Sequence, residues 1–216
     1  GIASKLINGK TIHSWSGIGI VNDDSNFEDI YNDIIENSYK RRQWRSTDIL
    51  ILDEISLIDK NTWDLLDKLG RIIRNCDRPF GGIQLLVVGD FYQLPPVKGK
   101  MAFKSKNWEK SFNYGINLTD NHRFKDDNLS NILKNIKIGE KLDDNMIKKL
   151  EERVGVENKY PVLVSMRYKA REINLSKLKE INEEEIKYNC NFIFFINEKV
   201  NKERMKRVIL KESPLE

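Results

Sequence analysis

Apolar positions along the chain form two short uninterrupted runs and several stretches with helical spacing. The first run is Asp48-Ile-Leu-Ile-Leu-Asp53, and the second is Ile83-Gln-Leu-Leu-Val-Val-Gly89. A nearly uniform apolar run is typical of a strand that is buried on both faces of a parallel sheet. Between the runs, apolar side chains recur every three or four residues from Asn61 to Cys76, which predicts an amphipathic crossover helix. The pattern therefore predicts an α/β fold with a parallel sheet.

Further elements are expected on both sides of this unit. Helical spacing predicts helices at four places: Phe27 to Ile35, Leu129 to Ile136, Asp143 to Arg153 and Lys169 to Ile181. Short apolar runs predict three more strands: Tyr114 to Leu118, Pro161 to Val164 and Asn191 to Ile196. A hinge is expected near residue 120, where a polar segment follows a predicted strand and the excess of basic residues begins. Residues 1–120 and 121–216 are therefore predicted to form two lobes.

The composition is that of a chain with a packed core. Residues of the AVILMFWYC set make up 39% of the 216 residues and charged residues 32%, which excludes a wholly disordered tail, a collagen-like fibre and a disulfide-rich miniprotein. The densest apolar run, Phe192 to Ile196, is far shorter than the ~18–20 residues of a membrane span, so no membrane partner is expected. The two cysteines, Cys76 and Cys190, lack paired spacing, which is typical of free thiols in a reducing, intracellular compartment.

Polar side chains follow both central strands at their carboxyl ends. Asp53 and Glu54 follow the first strand, and Gly89, Asp90 and Gln93 follow the second. The carboxyl ends of parallel strands share the edge of the sheet at which open α/β folds bind ligands. In nucleoside triphosphatases of this layout, a strand-terminal Asp holds Mg²⁺ on the phosphates and a neighbouring residue orients the attacking water. The alternative is structural, with an acidic pair that ends a strand and an aspartate that caps a turn, but the combination of both strand ends favours a nucleotide-hydrolysing site.

The segments around these residues resemble a known family. Asp48 to Ser56 and Pro79 to Val97 are similar to helicase motifs II and III of the PIF (petite integration frequency) DNA helicases, superfamily-one motors that move 5′ to 3′ on single strands. Three other segments carry the resemblance further: Thr11 to Trp15 (motif Ia), Leu118 to Arg123 (motif IV) and Pro161 to Leu178 (a later strand–helix unit). The resemblance implies a partial RecA-like motor fold, with most of the first lobe and the start of the second.

The resemblance also implies roles for four residues. Asp53 would be a Mg²⁺ ligand, and Glu54 would be the base that orients water for attack on ATP. Gln93 would sense the γ-phosphate, and Arg123 would be an arginine finger that stabilises charge on the transferring phosphoryl group. From the residues alone, a surface position in a polar loop is the favoured interpretation of Arg123. ATP and Mg²⁺ are therefore the expected nucleotide and metal.

The chain departs from the family pattern in three ways. It has Phe124 where members of the family usually carry Gln, it contains no Gly-x-x-x-x-Gly-Lys-Ser/Thr phosphate loop, and it lacks the late motifs V and VI. The chain begins at Gly1 without an initiator Met or a signal-peptide apolar region. We expect that it is a piece of a helicase gene whose phosphate loop lies upstream, and that these 216 residues alone bind and hydrolyse ATP very weakly.

Two segments are candidates for nucleic-acid contact. Thr11, His13, Ser14 and Trp15 are expected in a polar turn, where hydroxyl groups reach phosphates and aromatic rings stack on bases. The alternative for Trp15 is packing in the core. The basic run Lys40-Arg-Arg-Gln-Trp-Arg45 is predicted to be a solvated helix face with one anchoring aromatic residue, with a nucleic-acid patch as the alternative.

These features predict a helicase fragment. In the complete protein, a monomeric motor would couple ATP hydrolysis to 5′–3′ movement on single-stranded DNA and would unwind duplex junctions. The alternatives are a RecD-like helicase, a non-hydrolysing DNA-binding or assembly module derived from a helicase, and a larger nuclease-linked or replication protein with this motor as one portion.

Overall fold

The structure, a computed structural model, describes most of the chain. The described residues are 9–19, 25–120, 122, 126–152, 154–155, 161–183 and 186. The chain divides into two compact units, Gly1–Val154 and Gly155–Glu216. The lobe boundary near residue 120 stays a prediction.

The described elements alternate between helices and short strands. In the first unit they are α1 (Ile12–Ser16), α2 (Phe27–Glu36), α3 (Ser38–Ser46), β1 (Ile49–Leu52), α4 (Lys60–Arg74), β2 (Gln84–Val87), α5 (Asp127–Ile138) and α6 (Asp144–Glu151). The second unit contains α7 (Arg167–Lys179). Short 3₁₀ turns occur at Ile55–Leu57, Pro79–Gly82, Ala102–Lys104 and Glu109–Ser111. The helices agree with the predicted ones to within a few residues.

The two central strands and their crossover helix are confirmed. β1 and β2 pair in parallel, with Ile49 opposite Gln84 and Leu52 opposite Val87. The connecting helix α4 starts where the Asp59 carboxylate accepts hydrogen bonds from the first free backbone N–H groups of the helix. It buries an apolar stripe against the sheet, as its spacing predicts.

Burial of both faces of the sheet was the wrong expectation for both strands, since Leu86 of β2 is also 52% exposed. Leu50 and Leu52 are buried, whereas Ile49 and Ile51 are 57% and 62% exposed. Successive side chains of a strand point to opposite faces, and α4 with its neighbours packs on one face. In the part of the chain that the structure describes, nothing covers the other.

Aromatic side chains form the centre of the core. Trp63 of α4 is fully buried. Its ring centroid lies 4.7 Å from that of Phe80, 4.7 Å from that of Trp108 and 5.9 Å from that of Phe112. These contacts join α4 to the turn before β2 and to the segment after it, so one tryptophan connects three parts of the first unit.

The turn Pro79–Gly82 packs against α4 through two glycines. Gly81 has φ +65°, and a Cβ built on it would lie 2.2 Å from the Gly70 carbonyl oxygen. A Cβ on Gly70 would in turn lie 2.7 Å from the Phe80 carbonyl oxygen. The buried carboxylate of Asp67 accepts a hydrogen bond of 2.7 Å from the Phe80 backbone N–H. The Phe-Gly-Gly sequence therefore allows the backbone before β2 to lie directly on the helix.

Two of the predicted strands are not strands. Tyr114 to Leu118 and Pro161 to Val164 have no regular structure, and Tyr114 and Leu163 are 81% and 98% exposed. A short apolar run becomes a strand only where another strand pairs with it, and none of the described residues does so here. The strand predicted over Asn191 to Ile196 lies outside the described residues. No described helix has the length and apolar character needed to cross a bilayer.

Candidate active site

The carboxyl ends of β1 and β2 lie side by side, as the sequence predicts. Beyond the paired strands, the Val88 N–H donates to the Leu52 carbonyl oxygen (2.8 Å) and the Ile55 N–H donates to the Val88 carbonyl oxygen (3.1 Å). Asp53 and Glu54 lie between these two hydrogen bonds, and Gly89 follows them on the neighbouring strand. The acidic pair and the end of β2 therefore occupy one edge of the sheet.

The backbone of Glu54 adopts a left-handed conformation. Its φ and ψ are 56° and 48°, a region that residues other than glycine rarely occupy. The Glu54 N–H donates a 2.9 Å hydrogen bond to Oδ1 of Asp53, and both side chains are exposed. Strained backbone of this kind is concentrated at functional sites. Here it turns the chain sharply at the end of the strand and presents two carboxylates to solvent.

Gly89 keeps the two strand ends close together. Its φ is +153°, and a Cβ built on it would lie 2.8 Å from the Ile55 backbone nitrogen. Any other residue would force the segment after Glu54 away from β2. Glycine at this position thus permits the close approach of the two strand ends.

The loop that carries Gln93 is organised by Asp90. The Asp90 backbone carbonyl accepts from the Gln93 N–H (3.0 Å), and its carboxylate accepts from the Tyr92 N–H (3.1 Å). The same carboxylate pairs with Lys137 of α5 at 2.8 Å. The Lys137 ion pair is the main reason that the pKa of Asp90 is lowered, and hydrogen bonds from the Tyr92 backbone and the Gln93 side chain add to it against partial desolvation. Gln93 therefore sits in a loop that an ion pair anchors.

Lys137 is the contact that sequence reasoning missed. It is exposed on α5, as is the one other lysine of this helix, and its ammonium also lies 5.5 Å from the centroid of the Tyr92 ring. Nothing in the local sequence separates it from Lys134 on the same helix. The pairing depends on the tertiary position of α5, which the residue pattern does not specify.

We expect Lys137→Met to raise the pKa of Asp90 toward its ordinary value, because the charge that favours the carboxylate is removed. With Lys137 present, the pKa of Asp90 is depressed in the folded chain. The ion pair therefore stabilises the fold at pH values above the ordinary aspartate pKa. That stabilisation is lost as the pH falls through the folded pKa. The carboxyl ¹³C shift of Asp90, followed through an NMR pH titration, measures the change. Lys134→Met is the control, and an unchanged Asp90 midpoint in Lys137→Met would contradict the assignment.

The residues at this edge fit a metal that arrives with a nucleotide. Among the described residues, no group of three His, Cys, Asp or Glu side chains could hold a metal ion by itself. Mg²⁺ typically keeps several waters and is bound by one or two carboxylates together with substrate phosphates. The exposed Asp53 carboxylate, which uses one oxygen for the Glu54 N–H, matches that requirement.

Two further observations concern Arg123 and the position of the site relative to the cavities. Arg123 lies outside the described residues, so its arginine-finger role stays a prediction. Two cavities among the described residues, of about 510 and 350 Å³, are lined by other residues and do not include Asp53, Glu54 or Gln93. The candidate site is thus an open strand edge in the first unit.

The segment predicted as a polar turn forms the short helix α1. The Thr11 side chain accepts a 3.2 Å hydrogen bond from the Ser14 N–H and caps the helix, and Gly17, with φ +76°, ends it. A cap and a left-handed glycine six residues apart suffice for one helical turn. Thr11 thus has a structural role, whereas His13 and Ser14 are exposed.

Trp15 is half-buried and packs against α3. Its ring centroid lies 4.7 Å from that of Trp44, and its carbonyl accepts from the Gln43 side chain. The alternative expectation from the sequence, that Trp15 packs in the core, is therefore correct for part of its indole ring. Trp44 is fully buried and donates to the Ser16 carbonyl at 2.8 Å, which confirms the anchoring aromatic predicted for the basic run.

Comparison with known proteins identifies the family. A family model described as PIF1-like helicase matches residues 1–150. The chain belongs to the PIF1-like helicase family. A curated relative of this PIF1-like chain, the ATP-dependent DNA helicase RRM3 of Saccharomyces cerevisiae, is 42% identical over 147 residues, which are 65% of the chain and 20% of RRM3. The chain thus spans about a fifth of the length of this relative.

Solved structures show the same fold. The crystal structure of Pif1 helicase from Candida albicans superposes on the PIF1-like chain with a TM-score of 0.76 at 32% identity, over 85% of this chain and 43% of that one. Pif1 helicase from Bacteroides, in complex with ADP-AlF3 and ssDNA, gives a TM-score of 0.68 at 25% identity, over 85% and 46%. The expected fold class, a partial RecA-like α/β motor with a parallel sheet, is confirmed.

Proposed function

We propose that the chain is part of an intracellular ATP-dependent DNA helicase. In the complete protein, hydrolysis of ATP would drive a monomeric motor 5′ to 3′ along single-stranded DNA and unwind duplex junctions. The observation that carries the proposal is the shared strand edge, where Asp53 and Glu54 lie beside the end of β2 in a chain of the PIF1-like family. The name of RRM3 and the ADP-AlF3 and ssDNA complex of the Bacteroides Pif1 support it.

The residues at the edge have distinct chemical roles in this proposal. Asp53 would hold Mg²⁺, which neutralises charge on the phosphates when it is bound. Glu54, exposed and turned outward by its left-handed backbone, would accept the proton of the attacking water. The Gln93 amide would hydrogen-bond the terminal phosphate or the water without adding negative charge. Arg123 would stabilise the charge that develops on the transferring group.

The α1 segment would contact the single strand. The exposed His13 and Ser14 side chains are free to reach phosphate oxygens, while the part of the Trp15 ring that Trp44 does not cover would stack on a base. Thr11 would position this segment through its cap as well as contact the strand. These contacts lie on a helix that α3 fixes to the core, so DNA would be held by a rigid element.

Strand-specific unwinding tests the proposed function. The full-length gene product, given ATP and Mg²⁺, is expected to unwind a partial duplex with a 5′ single-stranded tail and to leave the matched 3′-tailed duplex intact. A gel or fluorescence unwinding assay measures both. Unwinding of the 3′-tailed substrate alone would refute the polarity, and DNA binding without ATP turnover would favour the non-hydrolysing module.

A further inference from the structure

Helix α3 divides its side chains between two sides. On one side, Gln43 and Trp44 donate to backbone carbonyls of α1, and Trp44 is buried in the core. On the other side, Arg41, Arg42 and Arg45 line a cavity of about 350 Å³ together with two serines of the same helix. The basic run noted in the sequence is thus a helix whose Trp44 packs in the core, and whose Arg41 and Arg45 also donate to the backbone carbonyls of Ile35 and Ile73.

A second arginine-lined cavity adjoins the first. It has a volume of about 510 Å³, and Arg45, Arg74, Cys76 and Arg78 are among its lining residues. Arg45 lines both cavities. We call the five arginines Arg41, Arg42, Arg45, Arg74 and Arg78 the arginine face. They come from α3, from the end of α4 and from the turn before β2, so three chain segments converge to form one basic surface.

The positive charge of the arginine face is not neutralised within the described chain. None of its members forms an ion pair with a described carboxylate, although Arg71 nearby pairs with Asp67 at 3.0 Å. Arg74 donates instead to the backbone carbonyls of Gly81 (2.8 Å) and Trp44 (2.7 Å). These hydrogen bonds fix the position of the guanidinium group but do not neutralise its charge. The neighbouring Cys76 is affected by one of these arginines. Hydrogen bonds from Arg78 lower the pKa of its thiol, and partial desolvation opposes this shift.

The form of the surface indicates a chain of phosphates. Guanidinium groups match phosphate oxygens in geometry as well as charge, and two cavities that share Arg45 in their lining suit successive phosphates better than one small anion. No aromatic side chain lines either cavity, so the contacts would be to the backbone of a nucleic acid and not to its bases. The helix that carries three of the arginines also holds α1, but on its other side.

We propose that the arginine face binds the phosphate backbone of nucleic acid at a second site, separate from the Thr11–Trp15 segment. The inference rests on the proposed function, since it adds a further DNA contact to the same motor lobe. The contact would hold a second stretch of the same strand or an attached duplex. Both sources present the same phosphate chemistry.

Salt-dependent DNA binding without nucleotide tests the site. The full-length gene product carrying both Arg42→Gln and Arg45→Gln is expected to bind about tenfold more weakly at moderate salt. The slope of log affinity against log salt should become shallower by about 1.4, since each single-strand phosphate contact contributes roughly 0.7. The pair Arg42→Lys and Arg45→Lys keeps the charge and should keep most of the slope. Lys134→Gln with Lys141→Gln, an equal charge loss elsewhere in the first unit, is the matched control.

Two DNA substrates distinguish a phosphate contact to the single strand from a contact to the attached duplex. Loss with a plain single-stranded oligonucleotide assigns the site to the strand, and loss only with a strand joined to a duplex assigns it to the duplex. Wild-type affinity and slope in the Arg→Gln pair, or an equal loss in the lysine control, would overturn the inference. A wild-type protein that binds no DNA at all would instead overturn the proposed function.

Cys76 provides an independent readout in the wild-type arginine face. In the full-length gene product, saturating oligonucleotide is expected to slow alkylation of Cys76, followed at this residue by peptide mass spectrometry, several-fold, because bound phosphates would cover the cavity and disfavour the thiolate. The protection should disappear when Arg42 and Arg45 are both glutamine. Alkylation at the same rate with and without bound DNA would contradict a contact at this cavity.

Discussion

Glu54→Gln in the full-length gene product is expected to lower ATP turnover by about 10²–10⁴-fold, the usual contribution of a general base, and to leave ATP binding nearly unchanged. Glutamine has the size of glutamate but cannot accept the proton of the attacking water. The side chain is exposed and makes no described hydrogen bond that the substitution would break, so the fold should be unaffected. Steady-state hydrolysis with single-stranded DNA and equilibrium binding of a fluorescent ATP analogue measure the two effects.

Glu109→Gln serves as the matched control, since Glu109 is an exposed glutamate of the same unit, at the start of the Glu109–Ser111 turn. It should keep wild-type turnover and binding. Hydrolysis that persists in Glu54→Gln at more than a tenth of the wild-type rate would exclude Glu54 as the base. A parallel loss of binding would indicate a role in holding the nucleotide instead.

Trp63→Ala is expected to destabilise the first unit by about 3–5 kcal/mol, the range for removal of a fully buried large aromatic side chain. The ring contacts Phe80 and Trp108 at centroid distances of 4.7 Å. Its indole N–H has no hydrogen-bond partner among the described residues, so the loss is one of packing. The midpoint of urea denaturation, followed by far-UV circular dichroism, measures the loss.

Trp63→Phe keeps an aromatic ring in the same place. It should lower the free energy of unfolding by less than half as much as Trp63→Ala does. A change below about 0.5 kcal/mol for Trp63→Ala, the range of ordinary surface substitutions, would show that the aromatic centre does not hold α4 to the segments around β2.

The sequence predicted the parts of the fold that depend on local pattern. The apolar runs at β1 and β2, and the helical spacing of α4, specify a parallel pair with a crossover helix because period and length leave few alternatives. The position of Asp53 and Glu54 at the same edge as Gly89 follows from that topology alone. Trp44 was likewise predicted as the anchoring aromatic residue of the basic run, whereas Tyr39 of the same helix is 64% exposed.

Other features depend on neighbours that the residue pattern does not reveal. Exposure of Ile49 and Ile51 depends on what covers the sheet, and Tyr114 to Leu118 looks like a strand but has no described partner. The Lys137–Asp90 pair joins residues 47 positions apart, and the arginine face is assembled from α3, α4 and the turn before β2. Such contacts arise from tertiary packing, so only a structure discloses them.

Metal binding measured with and without nucleotide tests most directly whether this edge cradles a metal–triphosphate. Mn²⁺, substituted for Mg²⁺ and followed by electron paramagnetic resonance, should bind the full-length protein strongly only when ATP is present, and Asp53→Asn should weaken that binding at least tenfold. Equal Mn²⁺ affinity in wild type and Asp53→Asn, with ATP bound to both, would contradict the assignment of this strand edge as the site of hydrolysis.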